Sequence, residues 1–174
     1  MSGQNSTNAP RWLGVAAASA ALTLDQAHKY WMLHVFDIES RQPIRVSPFL
    51  DLMLSWNHGV SYSLFSTHDD AARKLLLSAQ LLIVGGLAVW LWRSRRRVGA
   101  LGLGLVIGGA LGNVADRLLR GAVADFFFFH TSLPVGPLAN YVFNLADVAI
   151  TLGVALLLIE TFVSPASSSN APAE

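Results

Sequence analysis

The chain has 174 residues, of which 53% are hydrophobic and only 13% charged, with a formal net charge of +1 and no cysteine. Soluble domains carry about a quarter charged residues, so too little polar surface remains here to coat a water-soluble globule. The near-zero charge offers no field for nucleic acid, and the missing thiols exclude disulfides, thiol nucleophiles, thiolate metal sites and lipidation of the chain itself.

Residues 1–11 and 164–174 are small and polar, the second stretch reading SPASSSNAPAE, and both are expected to be disordered tails. Between them one domain, 12–163, holds four apolar stretches at 12–34, 75–92, 98–118 and 141–163. Each is near the ~20 residues that cross the hydrocarbon core as a helix, which predicts an all-α four-helix membrane bundle. The first stretch, with Arg11 just before Trp12-Leu13, has the alternative reading of a cleaved signal peptide. Against that, apolar character resumes at Tyr30, Trp31 and Met32 after the polar interruption from Asp25 to Lys29.

The connection 35–74 is too polar to span yet studded with Phe36, Phe49, Trp56 and other apolar residues. A small hairpin or short sheet at the membrane surface is expected within it, over Asp51 to Phe65, with Asn57-His58-Gly59 as turn chemistry. The tight linker Arg93-Ser94-Arg95-Arg96-Arg97 between the second and third spans is expected to stay cytoplasmic, and with it both tails. Arg41, Arg45, Arg73, Lys74, Arg117 and Arg120 would then lie outside, but spread along long segments or at helix ends beside acidic residues. In the third span Gly102, Gly104, Gly108, Gly109 and Gly112 predict close helix packing. The second outer connection, 119–140, contains Phe126, Phe127, Phe128 and Phe129 and should lie in the interfacial region.

Ionisable groups within spans are costly and persist where they face a cavity or a partner. Asp25 and Lys29 are four apart, Asn113, Asp116 and Arg117 are related by three and four, and Asn144 and Asp147 are three apart. All fall toward the outer ends of spans one, three and four, with Asp125 shortly after span three, so one polar pocket would contain them. Each has a plainer reading: Lys29 snorkels to the interface, Asp116 with Arg117 is a helix-end charge pair, Arg117 and Arg120 anchor a helix end. Asp147 has no basic residue within ten positions and needs a tertiary partner. His28, His34, His58, His68 and His130 lack tight ligand spacing and no Gly-x-Ser-x-Gly elbow occurs, so neither a metal nor a serine nucleophile is expected.

Five blocks in order, Asp25-Gln26-x-x-Lys29-Tyr30, Asn57-x-Gly59, Gly108-Gly109-Ala110-Leu111-Gly112-Asn113-x-x-Asp116-Arg117, Gly121-x-Val123-x-Asp125-Phe126 and Phe143-Asn144-x-Ala146-Asp147, give the chain from Leu22 to Ile150 a resemblance to the lipoprotein signal peptidases, or signal peptidase II. That resemblance implies a four-helix bundle with a small periplasmic β-cradle and a mobile surface segment over the site. It implies Asp125 and Asp147 as catalytic aspartates, with Asn57, Asn113, Arg117 and Asn144 lining the site and Asp25 with Lys29 a supporting pair; Gly59, Gly109 and Asp116 join them as substrate-binding or site-supporting candidates, Gly109 through helix packing. The implied reaction is metal-free and cofactor-free aspartic cleavage of a diacylglyceryl-modified prolipoprotein before its lipidated cysteine. It would be carried out by a monomer among the lipids of the bacterial inner membrane, with its site toward the periplasm. Val60-Ser61-Tyr62 departs from the family's Ala-Ala-Phe after Asn-x-Gly, and residues between Phe127 and Leu138 follow no family pattern. The rival readings are a small proton-coupled transporter or channel and a structural subunit held by buried ion pairs.

Overall fold

The computed structural model describes residues 9–59, 70–133 and 140–163. Helix α1 (Ala9–Tyr30) runs without interruption into a π-helical turn over Trp31–Val35. Then come a one-turn helix α2 (Ile38–Arg41), strands β1 (Ile44–Ser47) and β2 (Leu50–Asn57), and helices α3 (Asp70–Arg93) and α4 (Arg97–Arg120). Strands β3 (Val123–His130) and β4 (Asn140–Phe143) and helix α5 (Leu145–Val163) close the chain.

Helix α4 is the centre of the helical layer, and its glycines explain why. Gly104 and Gly108 sit directly on the backbone of α1 at Gly14 and Ala18, while Gly102 and Gly109 sit on the backbone of α5 at Gly153 and Ala146. Without side chains at these positions the axes approach more closely than larger residues permit. The opposite surfaces are apolar and open: Leu82, Ile83 and Trp90 on α3 and Leu152 and Phe162 on α5 are all exposed. Such a surface is stable in lipid and a liability in water. By length and composition α3 from Arg73, α4 and α5 are able to cross a membrane. Helix α1 matches them in length but carries Arg11, Asp25 and Lys29.

At one end of the bundle lies a four-stranded antiparallel sheet in the order β1-β2-β3-β4. Met32 of the π-turn, Ile38 of α2 and Ala124 and Phe126 of β3 form its own small core. Gly121, with φ of 82°, caps α4 in the left-handed region that a side chain disfavours, and the chain turns there into β3.

Several expected boundaries move. The first helix begins at Ala9, inside the expected tail, and the fourth apolar stretch is a helix only from Leu145. Tyr141, Val142 and Phe143 are β-branched or aromatic and pair with Phe129, Phe128 and Phe127 instead of extending the helix. Of the two forms expected over Asp51–Phe65, the short sheet is present through β2, whose hairpin with β1 turns at Pro48-Phe49 and whose other edge pairs with β3. Residues 60–65 of that expectation lie outside the described residues, as do most of both tails. Helix α1 packs on α4 along its length.

Candidate active site

Two linked polar layers lie at the sheet end of the bundle. The inner layer is ionic. Lys29 Nζ is fully buried and lies 2.9 Å from Asp25 Oδ2 and 2.9 Å from Asp116 Oδ2. Gln26, on the same helix, donates to Asp25 at 3.1 Å, to Asp116 at 3.0 Å and to the Gly112 carbonyl at 3.1 Å. Each carboxylate also holds a backbone N–H of another element: Asp25 accepts from Ala146 at the start of α5 (3.0 Å), and Asp116 from Ala124 at the start of β3 (3.1 Å). Arg120 completes Asp116 at 2.6 Å. The expected pairing of Asp116 with its neighbour Arg117 is therefore corrected. Adjacent helical residues point about 100° apart, and Arg120, one turn on, shares the face of Asp116.

The outer layer carries the other two aspartates. Asn144 precedes the first turn of α5 and Asp147 lies three residues later, so they cap the helix reciprocally. Asp147 N–H donates to Asn144 Oδ1 and Asn144 N–H to Asp147 Oδ2, both at 3.1 Å. The Asn144 amide Nδ2 is then aimed away from the helix and donates to Asp125 Oδ1 at 2.6 Å. Asn57, the last residue of β2, donates to the other oxygen of Asp125 at 3.2 Å. Asn113 joins the layers: its Oδ1 accepts from Lys29 (3.3 Å) and Asn144 (3.2 Å), and its Nδ2 donates to Asp147 Oδ1 at 3.0 Å. Asp125 and Asn144 are buried, while Asp147 is partly open to its surroundings. Burial pushes the Asp125 carboxyl up to about 6, with the charge of Asp147 acting in the same direction; the amides of Asn144 and Asn57 and the charge of Lys29 oppose it.

Arg117 is buried and underused. Among the described residues its Nη1 makes only long contacts, 3.4 Å to Gln80 and 3.5 Å to the Asn113 carbonyl, and its Nε has no acceptor. Gly59, with φ of 95°, closes over the guanidinium; a Cβ there would lie 3.1 Å from Nη2.

Every candidate residue thus falls in one region except Gly109, which sits one turn below Asn113 and packs α4 on Ala146 and Ile150. Gln26 stood in the first of the five sequence blocks without a role of its own, and Gln80 was not singled out by the sequence. An amide in an apolar span was the available signal for Gln80.

A sequence model of the family described as signal peptidase (SPase) II matches residues 17–163. The lipoprotein signal peptidase of Beijerinckia indica subsp. indica is 50% identical over 163 residues, covering 94% of this chain and 95% of its own. That of Nitrobacter hamburgensis is 49% identical, covering 90% and 96%. A solved bacterial membrane enzyme, determined by the in meso method at 2.3 Å resolution, shares the fold with a TM-score of 0.70 at 23% identity, over 92% of this chain and 94% of its own.

Proposed function

The chain belongs to the signal peptidase II family and cleaves the signal peptides of lipoprotein precursors, and we propose that Asp125 and Asp147 are the pair that performs the cleavage. The observation that carries this assignment is Asn144, which bonds Asp125 through its side chain and Asp147 through its backbone, fixing two carboxylates about one residue.

Two carboxylates held close do not both ionise cheaply and share a proton. Asp125, buried and with its carboxyl pushed up to about 6, is suited to hold that proton. Asp147, partly open, is suited to meet water. As water adds to the scissile carbonyl carbon, Asp147 takes its proton and Asp125 protonates the carbonyl oxygen. Collapse of the tetrahedral adduct breaks the C–N bond as the leaving amine takes the proton held by Asp147 and one adduct hydroxyl returns its proton to Asp125; the signal peptide leaves as a carboxylic acid that ionises in water. Arg117, with an unused Nε, is placed to donate to a substrate carbonyl. Asp25, Lys29 and Asp116 anchor the starts of α5 and β3, on which the pair stands.

The finer reading follows the family. The substrate is a diacylglyceryl-modified precursor cut before its lipidated cysteine, and α1 joins α3, α4 and α5 as a fourth span of the inner membrane. The Arg93–Arg97 linker faces the cytoplasm and the sheet faces the periplasm. The polypeptide works as a monomer among the membrane lipids, with both tails cytoplasmic. Incubating the purified protein with such a precursor in detergent should release a signal-peptide-sized product, undiminished by chelators or by serine- and thiol-directed reagents. Inactivation by a chelator, reversed by one added metal, would replace the aspartate mechanism.

A further inference from the structure

The sheet has two edges, and they are finished differently. β1 is flanked by Pro43 and Pro48, carries the exposed Arg45, and breaks register against β2 between Arg45 and Ser47. Proline, charge and a bulge are the devices by which a strand edge is kept from pairing with another chain. β4 has none of them. Its sequence, Asn140-Tyr141-Val142-Phe143, is uncharged and contains no proline. Its inner side pairs with Phe127–His130, and its outer side meets no strand among the described residues. Asn140 and Tyr141 are exposed.

The open edge leads to the chemistry. One residue beyond Phe143 is Asn144, which holds both carboxylates, so a chain laid along β4 at about 3.3 Å per residue passes from the edge onto the pair. The sheet face is prepared as well. On β3 the side chains of Asp125, Phe127 and Phe129 alternate onto one face. Phe127 stacks on Phe143 with ring centroids 5.4 Å apart, Phe129 meets Tyr141 at 5.6 Å, and Tyr141 stacks on Phe143 at 5.3 Å. An aromatic row therefore lies beside the open edge and in line with Asp125.

We propose that the free edge of β4 takes up the precursor segment next to the scissile bond as a fifth strand, with alternate substrate side chains resting on the aromatic row of Phe127, Phe129, Tyr141 and Phe143. In this mode main-chain hydrogen bonds supply affinity and the side chains of one face supply selectivity. The extended conformation so imposed also exposes the scissile carbonyl to water. The inference rests on the reading of Asp125 and Asp147 as the catalytic pair.

The test uses a synthetic diacylglyceryl-modified precursor peptide carrying one N-methyl amide at a time along the segments flanking the lipidated cysteine. An edge-bound strand gives and receives hydrogen bonds at every second residue. N-methylation is therefore expected to raise KM by about tenfold at alternate positions and to leave the intervening ones near the parent value. A photoreactive benzoylphenylalanine in place of Tyr141 should capture the precursor, and one in place of Val46 on β1 should not. A non-alternating N-methyl profile, or capture from Val46 and not from Tyr141, overturns strand addition at β4 while leaving the peptidase assignment standing. A lipidated parent peptide, free of N-methyl groups, that is never cleaved overturns both.

Discussion

Asp125 is held in a place unfavourable to its charge. Burial, the leading cause, pushes its carboxyl up to about 6 from an ordinary 3.8. Between those values the folded state binds more protons than the unfolded state. The group's contribution to stability therefore falls as pH rises through that window and is level above about 6. Asp125→Asn has no such titration. The Tm of the variant in detergent, relative to wild type, is expected to rise steadily from pH 4 to 6 and then level off. A difference that stays constant across that range would mean the carboxyl is not displaced. At this scale the sequence was legible where a charge had nowhere to go: Asp147, without a basic neighbour, announced a tertiary partner. What it meets is Asn113 and the reciprocal cap with Asn144. The Asn144-x-x-Asp147 spacing held that information, but a preceding apolar run concealed the helix start. The partners of Asp116 were not legible, because Lys29 and Ala124 reach it only through the packing of α1 and the turn at Gly121.

At the scale of elements, α4 meets α1 and α5 through two glycine seams, whereas α3 packs on it through larger side chains such as Leu91. A methyl group added at Gly108 would strike the Ala18 carbonyl and Ala21, whereas one added at Gly85 on α3 meets nothing within 4 Å. Gly108→Ala should therefore destabilise the fold by about 1–3 kcal/mol through overpacking. Gly85→Ala should be neutral or stabilising by up to about 1 kcal/mol through helix propensity. Unfolding of both variants in the same detergent checks the contrast, and equal effects would deny the seam. The helices were legible from apolar length, and the glycines from their density. The sheet was only half legible: the Phe126–Phe129 run and the Asp51–Phe65 segment pointed to interfacial structure, but their mutual register depends on α4 delivering β3 beside β2.

At the scale of the whole molecule, helix α4 has 24 residues and so spans about 36 Å, separating the arginine linker from the site. The fully buried charged and amide residues among the described ones lie at the sheet end, with only the half-buried Arg11 and Glu160 at the other, a distribution that suits a surface-facing catalyst better than a path across the membrane. A periplasm-dependent reporter should be silent when fused at Arg95 or after Glu174 and active when inserted within 37–48; the reverse pattern would invert the orientation. The most direct measurement of the central claim separates binding from cleavage in Asp125→Asn, Asp147→Asn and the double variant, using one purified diacylglyceryl-modified precursor. Asn preserves shape but cannot accept and return a proton. Each single variant should remain folded, bind the precursor with a Kd near wild type and cleave it at least about a thousandfold more slowly, with the double variant little worse. Near-native cleavage by a folded Asp147→Asn or Asp125→Asn protein would contradict the assignment of the pair.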